Sequence, residues 1–133
     1  MRHAIAATLA VILALPAAAQ DTDAIEGAID GQLDAFVARD VDTAFGFASP
    51  MIRGMFGTAE NFGAMVENGY PMVWNNDEAR FTALQEAPGG WMQRVTIRDA
   101  DGAIHVLEYR MIETSDGWRI DGVSVLPAPD VGV

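Results

Sequence analysis

Residues 91–120 read WMQRVTIRDADGAIHVLEYRMIETSDGWRI. Apolar and polar side chains alternate through most of this stretch, and two Asp-Gly pairs, Asp101-Gly102 and Asp116-Gly117, interrupt it. Alternation of period two suits strands with unlike faces, and Asp-Gly between two such runs is a strong hairpin signal. The pattern predicts strands over residues 91–98, 103–113 and 118–126. Pro88-Gly-Gly90 turns an earlier extended run, residues 80–87, into the first of them. Residues 72–74 read as a further extended piece ahead of a polar turn at 75–78. The second half of the chain is therefore an antiparallel meander.

Working back from the strands, the period changes to that of helices. Asp23 with Glu26 three residues on forms a capping pair, after which Ile25, Ile29, Leu33, Phe36 and Val37 share one stripe. Glu26, Asp30 and Asp34 face outward. Asp40 caps a second, short helix that buries Val41, Ala44, Phe45 and Ala48. Ser49-Pro50 and Gly57 bracket a two-turn helix with Met51, Ile52, Met55 and Phe56 on one face. Thr58 caps a fourth helix with Phe62, Met65 and Val66 inward, and Gly69 reads as its left-handed stop before Tyr70-Pro71.

The chain opens with Arg2 and His3, an apolar run over 4–15, Pro16 and Ala17-Ala-Ala19. That is the layout of a cleavable signal peptide, with a run too short to span a bilayer. The expectation is a leader over 1–19 cut after Ala19, a single domain over 20–126 and a flexible tail over 127–133, in the periplasm or outside the cell. No membrane anchor is expected once the leader is gone. With no cysteine, disulfides, thiol redox chemistry and Cys-ligated zinc are excluded. Eight arginines and no lysine stand against nineteen acidic residues, for a net charge of −11. Such a surface repels phosphate backbones and anionic lipid, which argues against nucleic-acid and membrane-surface partners.

Ala44-Phe45, Phe47-Ala-Ser-Pro50, Ile52-Arg53, Phe56-Gly57, Phe62, Met65-Val66, Gly69-Tyr-Pro71 and Trp118-Arg-Ile120 together resemble a bacterial secreted family called domain of unknown function 4864. The order of helices and strands is similar to the wider nuclear transport factor 2-like superfamily. This resemblance implies an α+β fold in which N-terminal helices pack on a curved antiparallel sheet, cone-shaped and cystatin-like. No activity comes with the family. The superfamily holds ketosteroid isomerase-like and dehydratase enzymes as well as domains that only bind ligands or partners.

If both Asp-Gly turns are two-residue loops, one sheet face gathers Gln93, Val95 and Ile97 with Val106, Glu108, Arg110, Asp121 and Val123. The other then holds Arg94, Thr96 and Arg98 with His105, Leu107, Tyr109, Met111, Trp118 and Ile120; a bulge would reverse the sorting beyond it. Catalytic candidates are Asp121 or Glu108 with Tyr70 or His105, for a carboxylate set against apolar walls can act as an acid or base. A cross-strand ion pair between Arg110 and Asp121, with Glu108 alongside, is the preferred reading of the same residues. His105 reads as a sheet-surface histidine beside Thr96 and Arg98. Met51 and Met55 read as adaptable core filler in preference to a Cu(I) thioether pair. Ligand-wall candidates are Tyr70, Trp74, Arg110, Met55 and Phe56.

These readings imply no cofactor or metal. They favour a non-catalytic module that binds a small apolar molecule or a protein. The alternative is an isomerase- or dehydratase-like enzyme, and a third possibility is a homodimer formed through the sheet. The deciding feature is whether the space between helices and sheet holds a cavity or is filled by Phe45, Phe56, Phe62 and Met65.

Overall fold

The computed structural model describes residues 17–127, with side chains described from residue 21 onward. The leader expected over 1–19 and the tail expected over 127–133 fall outside these residues, apart from 17–19 and 127. Five helices come first: α1 (Ala17–Val37), α2 (Val41–Gly46), α3 (Pro50–Phe56), α4 (Ala59–Gly69) and α5 (Pro71–Trp74). Four strands follow: β1 (Asn76–Ala87), β2 (Gly90–Asp99), β3 (Ile104–Thr114) and β4 (Gly117–Leu126). They form one antiparallel sheet in chain order, and the helices cover one of its faces. The fold class is α+β, as expected.

Helix α1 runs straight through Asp23, so the capping pair expected there does not start it. Ile25, Ile29, Leu33 and Phe36 are buried along one stripe, whereas Val37 lies beyond its edge and is 51% exposed. Arg39 ends the helix in the left-handed region at φ 60, and the Asp40 N–H returns to the Ala35 carbonyl at 2.9 Å. The Arg39 guanidinium then donates to the Trp74 carbonyl and the Asn75 side chain, both at 2.7 Å, and stacks on the Trp74 ring at 4.3 Å. One side chain thus fixes the end of α1 to the junction between helices and sheet.

The short helices carry the caps their sequence requires. Asp40, Ser49 and Thr58 each accept the N–H three residues on, at 3.2 Å in every case, and Gly57 closes α3 at φ 77. Two details differ from expectation. Gly69 is helical and not left-handed; α4 ends because Tyr70 leaves the helical region at φ −134, ψ 59. Residues 72–74 are helical and not extended, because Pro71 takes the first helical position and the Val73 and Trp74 N–H groups both bond to the Tyr70 carbonyl, at 2.9 and 3.0 Å.

The register of the sheet corrects the expected sorting of faces. Between β2 and β3 the Asp99 N–H bonds to the Ala103 carbonyl at 2.9 Å and closes a three-residue loop, 100–102, with Gly102 at φ 85. Asp99 organises it by accepting the Asp101 and Ala103 N–H groups on Oδ1, each at 3.0 Å. An odd loop pairs Gln93 with Tyr109, Val95 with Leu107 and Ile97 with His105. Leu107, Tyr109 and Met111 therefore face the helices, and Glu108 and Arg110 face away. The second turn has two residues as expected, but they are Ser115-Asp116 in place of Asp116-Gly117, and a bulge at Asp121 shifts the register beyond it. Val123 pairs with Tyr109, and Val125 with Leu107. Bulges in β1 and β4 also bend the sheet around the helices.

The core is one cluster between the layers. Phe62 is its aromatic hub, with ring centroids 5.8 Å from Phe36, 5.5 Å from Phe45 and 5.7 Å from Phe56. Helix α3 contributes no fully buried side chain; Met51 and Met55 are 56% and 68% exposed. The expectation that these methionines fill the core is thereby overturned. The helix is too short to bury all sides, and its N-cap orients Ile52 and Phe56 inward instead.

Candidate ligand cavity

Fold and caps together leave a space that the helices do not fill. Gln32 and Phe36 of α1 border it, with Ile52, Met55 and Phe56 of α3 and Phe62, Met65 and Val66 of α4. Tyr70 and Val73 close one side, and Tyr109, Ile120 and Val123 of the sheet form the floor. Its volume is about 240 Å³. That exceeds the roughly 150 Å³ of an engineered apolar cavity that takes up benzene, and corresponds to on the order of ten non-hydrogen atoms. Phe56, Phe62 and Met65 thus border the space without plugging it.

Among the described residues, three with polar side chains line the wall. The Gln32 amide donates to the Ala44 carbonyl at 3.1 Å, and the Tyr70 hydroxyl donates to the Val123 carbonyl at 3.2 Å. Tyr109 is fully buried and its hydroxyl has no hydrogen-bond partner. Burial pushes this phenol well above the ordinary tyrosine range, and the neighbouring Tyr70 pushes in the same direction. It is a neutral hydroxyl at any physiological pH. Among the described residues lining the cavity there is no carboxylate, histidine, arginine or lysine.

The profile of a protein family described as "Domain of unknown function (DUF4864)" matches residues 18–133. The chain belongs to the DUF4864 family. No curated protein matches it. Among solved structures, a phospholipid-binding protein from Ralstonia solanacearum, in complex with a phospholipid, is 14% identical with a TM-score of 0.47. That likeness covers 79% of this chain and 77% of that one.

Of the site residues suggested by sequence, this DUF4864 domain brings Tyr70, Met55 and Phe56 to the cavity. Trp74 is held under Arg39 and packs on Phe36, with ring centroids 6.0 Å apart. Arg110 lies on the outer face, bonded to the Pro88 carbonyl and 3.4 Å from Asp121. Glu108 is on that outer face too, 3.3 Å from Arg94. Asp121 faces Arg110 and the Ser49 hydroxyl, 2.7 Å away.

His105 is not beside Thr96 and Arg98 on the outer face, because the odd loop places it opposite Ile97. Its Nε2 meets Asp99 Oδ2 at 2.8 Å, at the hairpin end of the sheet. Of the four catalytic candidates, Tyr70 is among the described residues lining the cavity, and Asp121, Glu108 and His105 are not.

Sequence reasoning missed Tyr109, Gln32 and Val66 as cavity residues. Tyr109 had a usable signal, a tyrosine between Leu107 and Met111 on one strand face, but the assumed register grouped that face with Arg94, Thr96 and Arg98.

Proposed function

We propose that this domain binds a small, largely apolar molecule between its helices and sheet, without transforming it. The cavity of about 240 Å³ carries this reading. Its walls are aromatic and aliphatic with few polar groups, which is the usual form of a small-molecule site. The lack of a carboxylate, histidine, lysine, serine or threonine in the described lining favours binding over the isomerase- or dehydratase-like alternative. Asp121, the carboxylate nearest in sequence to the lining residue Ile120, is committed to Ser49 and Arg110.

The test is calorimetric titration with isopropylbenzene, an uncharged hydrocarbon of nine non-hydrogen atoms, against the wild type and a Val66→Phe variant. Val66 is buried and borders the cavity, so the larger ring occupies the space. Saturable 1:1 binding to the wild type that the variant loses supports the reading. Equal binding by the two proteins, or none by either, ends it.

We further propose that the domain acts outside the cytoplasm. The leader-like layout of residues 1–19 supports this, as does the start of the family match at residue 18. N-terminal sequencing of the protein from expressing cells tests it: a start at Gln20 is expected, and an intact Met1 contradicts it.

A further inference from the structure

We infer that the ligand is a neutral, mostly apolar molecule carrying one hydrogen-bond acceptor, a carbonyl oxygen, to which the Tyr109 hydroxyl donates. The inference rests on the ligand-binding reading above and names the chemical class of its ligand.

The polar groups of the wall differ in one respect. Gln32 gives an amide N–H to the Ala44 carbonyl, and Tyr70 gives its only proton to the Val123 carbonyl. The Tyr109 hydroxyl is buried and spends its proton on nothing. A buried polar group without a partner is costly, and the great majority in native proteins are satisfied. Val123 links the two phenols: it pairs with Tyr109 across β3 and β4, and its carbonyl accepts from Tyr70. Two tyrosines thus border one wall, one already bonded and one free to bond.

Gln93, opposite Tyr109 on β2, also has an unpartnered Oε1. Its amide nitrogen is tied to the Ala83 and Arg94 carbonyls at 3.2 and 3.0 Å, and its side chain does not line the cavity. It is no competitor for a ligand there.

Charge completes the argument. An anion would find no arginine, lysine or histidine among the described lining residues, in a chain of net charge −11. A cationic amine would find no carboxylate. Burying either charge unpaired is prohibitive. A carbonyl is the simplest match, because it accepts the Tyr109 proton and brings no donor of its own to be satisfied.

The experiment uses three probes of nearly equal shape, each with nine non-hydrogen atoms: acetophenone, isopropylbenzene and benzoate. Each is titrated by calorimetry into the wild type and Tyr109→Phe. Acetophenone should bind the wild type about tenfold more tightly than the variant, as one net hydrogen bond implies. Isopropylbenzene should bind both alike, and benzoate neither. A second measurement needs no variant: the infrared carbonyl stretch of bound acetophenone should move to lower frequency than in hexane. Isopropylbenzene binding with an unshifted carbonyl, or with acetophenone affinity unchanged by Tyr109→Phe, overturns the inference and leaves the cavity reading intact. Preferential binding of benzoate overturns the neutral-ligand inference alone. Failure of all three probes to bind overturns both.

Discussion

The Ser49 hydroxyl donates to the Asp121 carboxylate at 2.7 Å while accepting the Ile52 N–H at 3.2 Å. One fully buried serine therefore caps α3 and holds it to the bulge of β4. The backbone doubles the join: the Ser49 N–H bonds to the Ile120 carbonyl and the Ile120 N–H to the Phe47 carbonyl, both at 2.8 Å. Helix α3, which forms one wall of the cavity, is positioned by this corner more than by burial of its own side chains.

Ser49→Ala removes a cap and a hydrogen bond to a charged group together, and should cost about 2–3 kcal/mol. Asp121→Ala should cost a similar amount, because it leaves the buried hydroxyl unpaired. The double variant should fall well short of the sum, as expected of residues in direct contact. Urea unfolding of the three variants measures this; additive losses contradict the shared role.

Two glycines in neighbouring helices should respond to alanine with opposite signs. A Cβ at Gly63 would stand 2.6 Å from Val41 Cγ1, where α4 meets α2, and β-branched valine has little freedom to move. Gly63→Ala should destabilise by about 1–3 kcal/mol. Gly54, inside α3, has nothing within 4 Å of its Cβ position, so Gly54→Ala should stabilise by about 0.5–1 kcal/mol. Thermal denaturation of the pair is sufficient to check both signs.

The helical half was legible because its information is local. Ser49-Pro50, Gly57, Thr58 and Asp40 each announce a cap within four residues of the group they satisfy. The sheet faces were not legible, because one residue of loop length decides them. Asp101-Gly102 suggests a two-residue turn, yet Asp99 binds two backbone N–H groups and makes the loop three. That single residue puts Tyr109, in place of Arg110, on the face with Gln93, Val95 and Ile97. The bulge at Asp121 had no local signature, since its partner Ser49 lies 72 residues away. Methionine exposure on α3 was equally non-local: apolar spacing shows which residues share a face, not whether anything covers it.

Asp99 makes the hairpin sensitive to acid. Its hydrogen bond with His105, helped by the Ala103 and Asp101 N–H groups, holds its carboxyl below the usual 3.8. A depressed carboxylate contributes stability that is fully present above 3.8 and is lost as pH falls through the folded-state value. Asp99→Asn should therefore be less stable than the wild type at pH 7, with the difference closing as the pH drops below 3.8. Denaturation midpoints across that range check it, and a gap that persists undiminished in acid contradicts it.

Tyr109 gives the complementary behaviour in base. A phenol raised above 10.0 on folding contributes stability present below that pH and lost as pH rises through the folded value. Tyr109→Phe should flatten the alkaline limb of the stability profile above pH 10. At pH 7 without ligand the variant should be as stable as the wild type or more so, because it deletes a buried hydroxyl that has no partner. A clear loss of melting temperature in Tyr109→Phe would show that the hydroxyl is bonded within the protein.

The most direct measurement is a methyl NMR map of the protein with and without isopropylbenzene. Signals of Ile52, Val66, Ile120 and Val123, which border the cavity, should shift together and saturate with one dissociation constant. Ile104, 56% exposed at the start of β3, should stay in place. Shifts confined to exposed methyls, or none at saturation of the hydrocarbon in water, would contradict a ligand site between the helices and the sheet.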